Sequence, residues 1–200
     1  MAIKIRQYAN YDEYIAHQKS KADHGSELYN KLLNELWTSD CHGFQLIFEA
    51  HKEAIEKATK AICLGARTGQ EVHVLREMGL DTTGMDLVDC PPLVEEGDVH
   101  NLKYADASFD FIFSNIFDHV LMPEKFISEL ERVAKSNAYC ILHLSLNDLG
   151  DQHSANVLSD VQTVVMLFKR KIEIIKNERL NLTDRPDWPG YWELAFRFED

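Results

Sequence analysis

The sequence lacks any apolar stretch long enough to cross a bilayer, and residues 1–10 contain no signal-peptide core. It is also poor in basic residues: Lys and Arg total 21 against 33 for Asp and Glu, which gives a formal net charge of -12. Binding to the phosphates of a nucleic acid requires a basic surface. These absences therefore predict a protein with no membrane span and no long nucleic acid as a partner.

Cysteine is sparse and has no metal-binding spacing. The chain has four, Cys41, Cys63, Cys90 and Cys140, and no CxxC motif. Scattered cysteines favour free thiols in a reducing cytosol, so we expect a cytoplasmic protein without a metal site. No repeat or low-complexity segment divides the chain, and 200 residues with 45% hydrophobic content fit a single domain.

Residues 61–69 read AICLGARTG, and the rest of the chain is organised around them. A short apolar run ends at Gly65 and Gly69, and an amphipathic run with Val72 and Leu75 follows. This pattern is typical of a buried strand, a tight turn and a helix. Glycine lets the backbone approach a ligand closely, and the start of a helix offers free N–H groups. The stretch therefore predicts a docking turn for a nucleotide-type cofactor.

Two acidic residues follow the next two strand-like runs. Asp86 comes after residues 82–85, and Asp98 comes after a run that includes Val94. In an open parallel sheet, a carboxylate after the second strand lies beside the glycine turn, where it can accept hydrogen bonds from two ribose hydroxyls. A carboxylate after the third strand can accept from the exocyclic amine of a base. Together with the turn, the two acids predict a nucleoside site.

The chain before this core reads as helical. Residues 8–60 contain apolar faces at helical spacing, and residues 8–21 are rich in aromatic and polar groups. The segment 8–21 is either a lid that helps to close the cofactor site or a helix packed on the sheet edge.

From residue 61 onwards strands and helices alternate, which predicts parallel strands with helices on their faces. The link from Asp86 to Val94 is too short for a crossover helix. Ser154 is expected to cap a helix that continues to Phe168. The tail, with strand-like runs on both sides of a proline- and glycine-containing loop, is expected to form an antiparallel pair.

With these motifs the sequence resembles the class I S-adenosylmethionine-dependent methyltransferases, particularly the small methyltransferase-domain families of type 11. CLGARTG stands at the glycine turn, GMDLVD contains the ribose carboxylate, and GDVHNLKYADASFDFIFSN contains the third-strand aspartate and the fourth strand. The resemblance implies an α/β fold: a Rossmann-like, mostly parallel seven-stranded sheet with helices on both faces and an antiparallel C-terminal strand. It also implies one methyltransferase domain over residues 1–200, with a helical cap or lid at 1–60 and a cofactor-binding core at 61–200.

The resemblance further implies S-adenosyl-L-methionine as the cofactor and S-adenosyl-L-homocysteine as its product. The cofactor-binding positions would be Gly65, Ala66, Arg67, Gly69, Asp86, Leu87, Asp98, Val99, Asn115 and Ile116. Asp86 would hold the ribose diol, Asp98 would take the adenine amine, and the glycine turn would contact the methionine portion. Asn115 and Ile116 would also lie where a methyl acceptor approaches.

Three departures from the family pattern stand out. Cys63 replaces an acidic residue, Arg67 replaces a glycine, and residues 135–137 (KSN) replace a Pro-Gly-Gly turn. Cys63 removes a charge that would orient the cofactor's amino group, whereas Arg67 can engage the cofactor's carboxylate. The departures leave a second hypothesis open, namely a catalytically inactive domain that acts as a cofactor-sensing or protein-interaction scaffold.

Methyl transfer requires that the acceptor be held in line with the methyl group, and a hydroxyl acceptor also needs a base. His119 and His153 are the candidate bases because the reference pKa of histidine lies near neutral pH. Asp118 and Asp148 are candidates to orient them. Each histidine also has a structural alternative, a turn residue for His119 and an exposed loop residue for His153. We expect a small-molecule acceptor; a nicotinamide oxidoreductase is disfavoured because the GxGxxG spacing is absent.

Overall fold

In the computed structural model, a seven-stranded sheet forms the centre of the molecule. The structure describes residues 3–4, 6–21, 23–146, 152–182 and 191–199. The strands are β1 (Ile3–Lys4), β2 (Lys60–Leu64), β3 (Asp81–Asp86), β4 (Val94–Glu96), β5 (Phe109–Ser114), β6 (Ala134–Leu144), β7 (Asn156–Val157), β8 (Ile172–Arg179) and β9 (Trp192–Phe198). The sheet order is β4-β3-β2-β5-β6-β9-β8, and β1 pairs with β7 outside this sheet.

The directions of the strands in the seven-stranded sheet match the sequence interpretation. Strands β4, β3, β2, β5 and β6 are parallel to one another. Strand β9 pairs antiparallel with both β6 and β8. The sheet is therefore mostly parallel with antiparallel C-terminal strands, which confirms the predicted fold class.

Helices cover both faces of the sheet. They are α1 (Tyr11–Lys19), α2 (Glu27–Asn34), α3 (Trp37–Glu49), α4 (Lys52–Lys57), α5 (Gln70–Glu77), α6 (Pro123–Val133) and α7 (Gln162–Val165), with a 3-10 turn at Phe117–His119. Strand β2 sends Ile62 and Leu64 into one hydrophobic core, with α6, and Ala61 and Cys63 into a second core, with α3 and α5. Because both faces are covered, the central strands are apolar throughout rather than alternating. Among the helices that the structure describes, none has the length and apolar character needed to cross a membrane.

The link between β3 and β4 contains no helix, as its length predicts. A cis peptide bond joins Pro91 to Pro92. The Cys90 and Val94 backbones exchange hydrogen bonds of 3.0 and 2.9 Å across the link. This tight connection places β4 directly beside β3, so that the residues after both strands meet at one edge.

The helix predicted to begin at Ser154 is wrong in its start and its length. Asn156–Val157 form β7, which pairs with β1, and only Gln162–Val165 are helical. The side-chain amide of Asn156 donates to the carbonyls of Phe117 and Val120, at 2.9 and 2.8 Å. These long-range contacts hold the segment in an extended conformation. The valine spacing indicated a helix because a local pattern carries no information about such contacts.

Candidate active site

The turn after β2 brings bare backbone to the edge of the sheet. Gly65 has a φ of +81°, and a Cβ built there would lie 2.2 Å from Ile116 Cγ2. Gly69 has a φ of +87°, and its Cβ would lie 2.8 Å from Leu93 Cβ. Residues with side chains rarely adopt positive φ. Both positions therefore require glycine, because a side chain would be strained at this φ and would collide with its neighbour.

Asp86 ends β3 beside this turn. Its Oδ2 accepts a hydrogen bond from the Arg67 backbone N–H at 2.8 Å, and its Oδ1 accepts from the Leu87 N–H at 2.7 Å. A carboxylate has about four lone-pair positions, so these two bonds leave acceptor capacity for further donors. Asp86 is thus oriented by the backbone and still able to bind two hydroxyl groups.

Asp98 follows β4 and is held by three hydrogen bonds. The Tyr11 hydroxyl donates to Oδ2 at 2.5 Å, and the His100 backbone N–H and Nδ1 lie 2.8 and 2.9 Å from Oδ1. Burial by itself raises the pKa of Asp98, but the bonds from His100 and Tyr11 outweigh it and lower the pKa below its usual range. Asp98 is therefore ionised at neutral pH and acts as a hydrogen-bond acceptor.

Most of the predicted site residues face one cleft at the carboxyl ends of the parallel strands. They are Gly65, Arg67, Asp86, Leu87, Asp98, Val99, Ile116 and His119. Ala66 and Asn115 line a neighbouring cavity instead, and Gly69 packs against Leu93 behind the turn. The two acids, the bare backbone and the apolar side chains thus converge at one place, although they come from four separate stretches of the chain.

Helix α1 closes the other side of the cleft. Tyr14, Gln18, Lys19 and Lys21 line it from that side, and the Tyr14 hydroxyl donates to the His119 carbonyl at 3.2 Å. The cleft has a volume of about 70 Å³, below the roughly 300–1,000 Å³ of ordinary ligand sites. A nucleoside therefore needs more room than the cleft offers with α1 in this position.

His119, the first candidate base, lies at the rim of the cleft. Its Nε2 is 3.0 Å from Lys21 Nζ and 3.5 Å from Asp118 Oδ2. A lysine ammonium donates its proton, so the Nε2 atom facing Lys21 is the hydrogen-bond acceptor of this pair. The lone pair that a base would use is thus directed toward the α1 side of the cleft.

His153, the second candidate, is placed differently. It is 5% exposed and does not belong to the residues that line the cleft in the described part of the chain. Its ring stacks on His17 with the centroids 4.6 Å apart, and its Nε2 lies 3.4 Å from Ser20 Oγ. The structure therefore brings His119, and not His153, to the cleft. Asp148 lies outside the described residues.

Three residues around the site were missed from sequence. Tyr11 reaches Asp98 across 87 positions of the chain, a distance at which no local pattern exists. His100 is 2% exposed and follows Asp98 by two positions, a spacing that offered a signal. Glu71 is 4% exposed in the first turn of α5, where the sequence gives no signal that a charged residue is buried.

A glycine turn after β2, carboxylates after β3 and β4, and a mostly parallel sheet define a Rossmann-like α/β protein with a site for a nucleotide-type cofactor. Comparison with known proteins identifies the family of the central part of the chain. Residues 62–142 match the model of a family described as methyltransferase domain. The match confirms the resemblance to the class I S-adenosylmethionine-dependent methyltransferases, and this part of the chain carries that family's domain. No curated protein sequence matches the chain significantly.

Several solved structures share the fold. The 1,6-didemethyltoxoflavin-N1-methyltransferase of Burkholderia thailandensis, with bound 1,6-didemethyltoxoflavin and S-adenosylhomocysteine, is similar over 100% of this chain and 95% of its own, with a TM-score of 0.71 and 15% identity. A putative sarcosine dimethylglycine methyltransferase from Galdieria sulphuraria is similar over 79% and 85%, with a TM-score of 0.59 and 14% identity. The [4+2]-cyclase SpnF is similar over 78% and 80%, with a TM-score of 0.60 and 14% identity. Likeness at these identities shows the fold alone, and the cyclase illustrates that one fold serves different chemistries.

Proposed function

We propose that this chain is an S-adenosylmethionine-dependent methyltransferase that acts on a small-molecule acceptor. The observation that carries the proposal is the convergence of Asp86, Asp98 and the Gly65 turn on one cleft, in a chain that matches the methyltransferase-domain family. The cleft thereby combines the two hydrogen-bond acceptors and the close approach of the backbone that a nucleoside ligand requires.

The residues present fit the adenosine part of this cofactor. Asp86 has acceptor capacity left for the two ribose hydroxyls. Leu87, Val99 and Ile116 supply apolar surface between the two acids. A side chain at Gly65 would displace Ile116 from this surface, since its Cβ would lie 2.2 Å from Ile116 Cγ2.

When bound, S-adenosylmethionine supplies an electrophilic methyl group on a sulfonium, so the protein has mainly to hold the acceptor in line with it. A hydroxyl acceptor must also lose a proton as attack proceeds. His119 is our proposed base for that proton, because its Nε2 is the acceptor facing the cleft. Movement of Lys21, which follows the end of α1, away from His119 would expose this lone pair to the acceptor.

The acceptor is proposed to be small for two reasons. The net charge of -12 disfavours a long polyanion, and the cleft is enclosed by α1 rather than open along a groove. The names of the structural neighbours from Burkholderia thailandensis and Galdieria sulphuraria also refer to small acceptors.

The scaffold hypothesis rests on Cys63 and Arg67. Cys63 is 0% exposed and packs as a small apolar side chain in the core beneath the turn. Arg67 lines the cleft without blocking the two acids, since only its backbone N–H contacts Asp86. The site therefore supports the enzyme better than the scaffold.

Calorimetric titration with S-adenosylmethionine and S-adenosylhomocysteine tests the proposal. Asp86→Ala is expected to weaken binding at least 100-fold, because two hydrogen bonds to a charged group are each worth about 1.5–3 kcal/mol. Asp81→Ala is the matched control, since Asp81 is an exposed aspartate at the opposite end of the same strand. No heat with either ligand would refute the proposal and favour the scaffold. Once an acceptor is found by screening, His119→Gln is expected to lower kcat and leave cofactor affinity unchanged.

A further inference from the structure

A second cavity lies next to the cleft and shares Gly65 and Arg67 with it. Its volume is about 300 Å³. Leu32, Leu36 and Phe44 form its helical side, and the backbone of the glycine turn forms the other. Because two residues belong to both spaces, the cleft and this cavity are adjacent, with Gly65 and Arg67 at their boundary.

Glu71 is a buried acid in the wall of this cavity. It is 4% exposed, and its carboxylate makes no hydrogen bond or ion pair with another side chain among the described residues. Burial raises the pKa of Glu71 to about 8; its own backbone N–H and Arg67 oppose this shift, and Asp86 and Asp40 reinforce it. Among the described residues its hydrogen bonding comes from its own backbone N–H, and burying a carboxyl group with so little hydrogen bonding is costly. Its presence beside a cavity indicates a ligand that pairs with it.

Arg67 is unusual in both conformation and surroundings. It is one of three non-glycine residues with positive φ among those that the structure describes, at +46°, a strained conformation that tends to occur at functional sites. Its guanidinium forms no ion pair or hydrogen bond within the part of the chain that the structure describes, although it lines both spaces. A basic and an acidic side chain thus face the same cavity without pairing with each other.

Resting on the proposed function, we propose that Arg67 and Glu71 together bind the amino-acid end of the cofactor: Arg67 binds its carboxylate and Glu71 binds its ammonium group. An α-amino acid carries a carboxylate and an ammonium group at a fixed separation, so it is complementary to an arginine and a carboxyl group that is ionised when the ammonium group pairs with it. Arginine suits a carboxylate because its fork donates two parallel hydrogen bonds.

The assignment of Glu71 to the ammonium group also explains why β2 has the uncharged Cys63 near its end. Cys63 is buried and carries no charge, and the Glu71 carboxylate is close enough to raise the pKa of the Cys63 thiol further. The helix that follows the turn therefore presents to this region the acid that the strand lacks. Glu71 thus supplies the acid that is missing at Cys63. A comparison restricted to the residues of the turn would show only that the acid is absent there.

The test compares two ligands that differ only at this end. S-adenosylhomocysteine has the amino-acid group, whereas 5′-methylthioadenosine ends in a methyl thioether. Glu71→Gln is expected to weaken S-adenosylhomocysteine binding about 10- to 100-fold, the effect of a hydrogen bond to a charged group, and to leave 5′-methylthioadenosine binding unchanged. Glu71→Asp, which keeps the charge, is expected to retain part of the affinity. Glu77→Gln, in the last turn of the same helix, is the control and should change neither.

Failure of this inference is distinguishable from failure of the proposed function. If the wild-type protein binds neither ligand, both are refuted. If it binds both ligands and Glu71→Gln weakens both equally, or neither, the cofactor site stands and the assignment of Glu71 is wrong. Thermal unfolding of each variant, compared with that of Glu77→Gln, shows whether the variants are folded.

Proton release on ligand binding distinguishes a binding role of Glu71 from a merely structural one, because a structural role would not change the number of protons released. At pH 7 free Glu71 is mostly protonated, and pairing with an ammonium group ionises it. Calorimetry in two buffers of different ionisation enthalpy should therefore show proton release by the wild-type protein with S-adenosylhomocysteine and none by Glu71→Gln. The charged or titratable groups that face Glu71 are Arg67, Asp86, Asp40, Cys41 and Cys63. Equal proton release by both proteins would overturn the assignment.

Discussion

At the residue scale, Gly65 combines a positive φ with a close approach, and the two effects can be measured separately. A Cβ at Gly65 would meet Ile116, whereas Gly25 has a nearly identical φ of +80° and nothing within 4 Å of its would-be Cβ. Gly25→Ala should therefore cost only the backbone strain, about 1 kcal/mol of unfolding free energy, and Gly65→Ala about 1–3 kcal/mol more. Urea unfolding measures both. Equal losses would mean that Ile116 moves aside freely.

Asp110 supplies a pH-dependent contribution to stability. It accepts hydrogen bonds from the Thr59 hydroxyl at 2.6 Å and from the Thr59 and Lys60 backbone N–H groups at 2.9 and 2.7 Å, and it pairs with Lys135 at 2.9 Å. Burial opposes ionisation, but these bonds prevail and lower the pKa of Asp110 from 3.8 to about 2. A depressed carboxyl pKa stabilises the fold above the unfolded value, and the stabilisation is lost as pH falls from about 4 through about 2.

Asp110→Asn is therefore expected to destabilise the protein by about 1–2 kcal/mol at pH 7, after allowance for solvent screening. The difference from the wild type should shrink as the pH is lowered through this window. Unfolding free energies at several pH values measure it, and Asp81→Asn, which removes an exposed carboxylate, is the control. A penalty that stays constant down to pH 2 would show that the hydrogen bonds, and not the charge, carry the effect.

At the element scale, a buried acid joins β9 to β6, β8 and the link between α3 and α4. Glu193 is 0% exposed and lies 3.1 Å from His51, 2.9 Å from His143 and 2.8 Å from Lys176. Removing one partner of a buried ion pair leaves the other charge uncompensated. Glu193→Gln should thus cost about 3 kcal/mol of unfolding free energy.

Glu178→Gln provides the matched comparison for Glu193→Gln. Glu178 contacts the same Lys176 at 3.4 Å, but its side chain is 64% exposed. An exposed pair contributes about 0–1 kcal/mol, so this variant should behave nearly as the wild type in urea unfolding. Similar losses for the two variants would refute the view that burial makes the Glu193 contacts important.

The elements that sequence predicted well are those fixed by local patterns. The apolar run and glycines of residues 61–69 specify a strand, a turn and a helix by themselves, and the short link after Asp86 excludes a crossover helix. The contact of Tyr11 with Asp98 and the pairing of β1 with β7 depend on segments 87 or more positions apart. Long-range contacts of this kind override local propensity, which is why the Ser154 helix was wrong and the position of α1 over the cleft stayed open.

At the scale of the whole molecule, the two hydrophobic cores share one sheet. Side chains of β2 enter both cores, and α3, from the N-terminal helical part, supplies Phe44 and Phe48 to one of them. Residues 1–60 and 61–200 are therefore proposed to form one cooperative unit rather than a detachable cap and a core. The expected behaviour is a single thermal transition whose calorimetric and van't Hoff enthalpies agree. Two separate transitions would instead assign the N-terminal helices their own stability.

Binding should act on this unit as a whole. A ligand at 100 times its dissociation constant adds about 2.7 kcal/mol to the stability of the native state. For a chain of this size each kcal/mol raises Tm by about 2–4 °C, so S-adenosylhomocysteine should raise the single transition by about 5–10 °C. Asp86→Ala should abolish the shift, and Asp81→Ala should keep it. If unfolding occurred in two transitions and the ligand raised the midpoint of only one of them, the bound region would be the β2–β6 half alone. In that case α1 would not close on the cofactor.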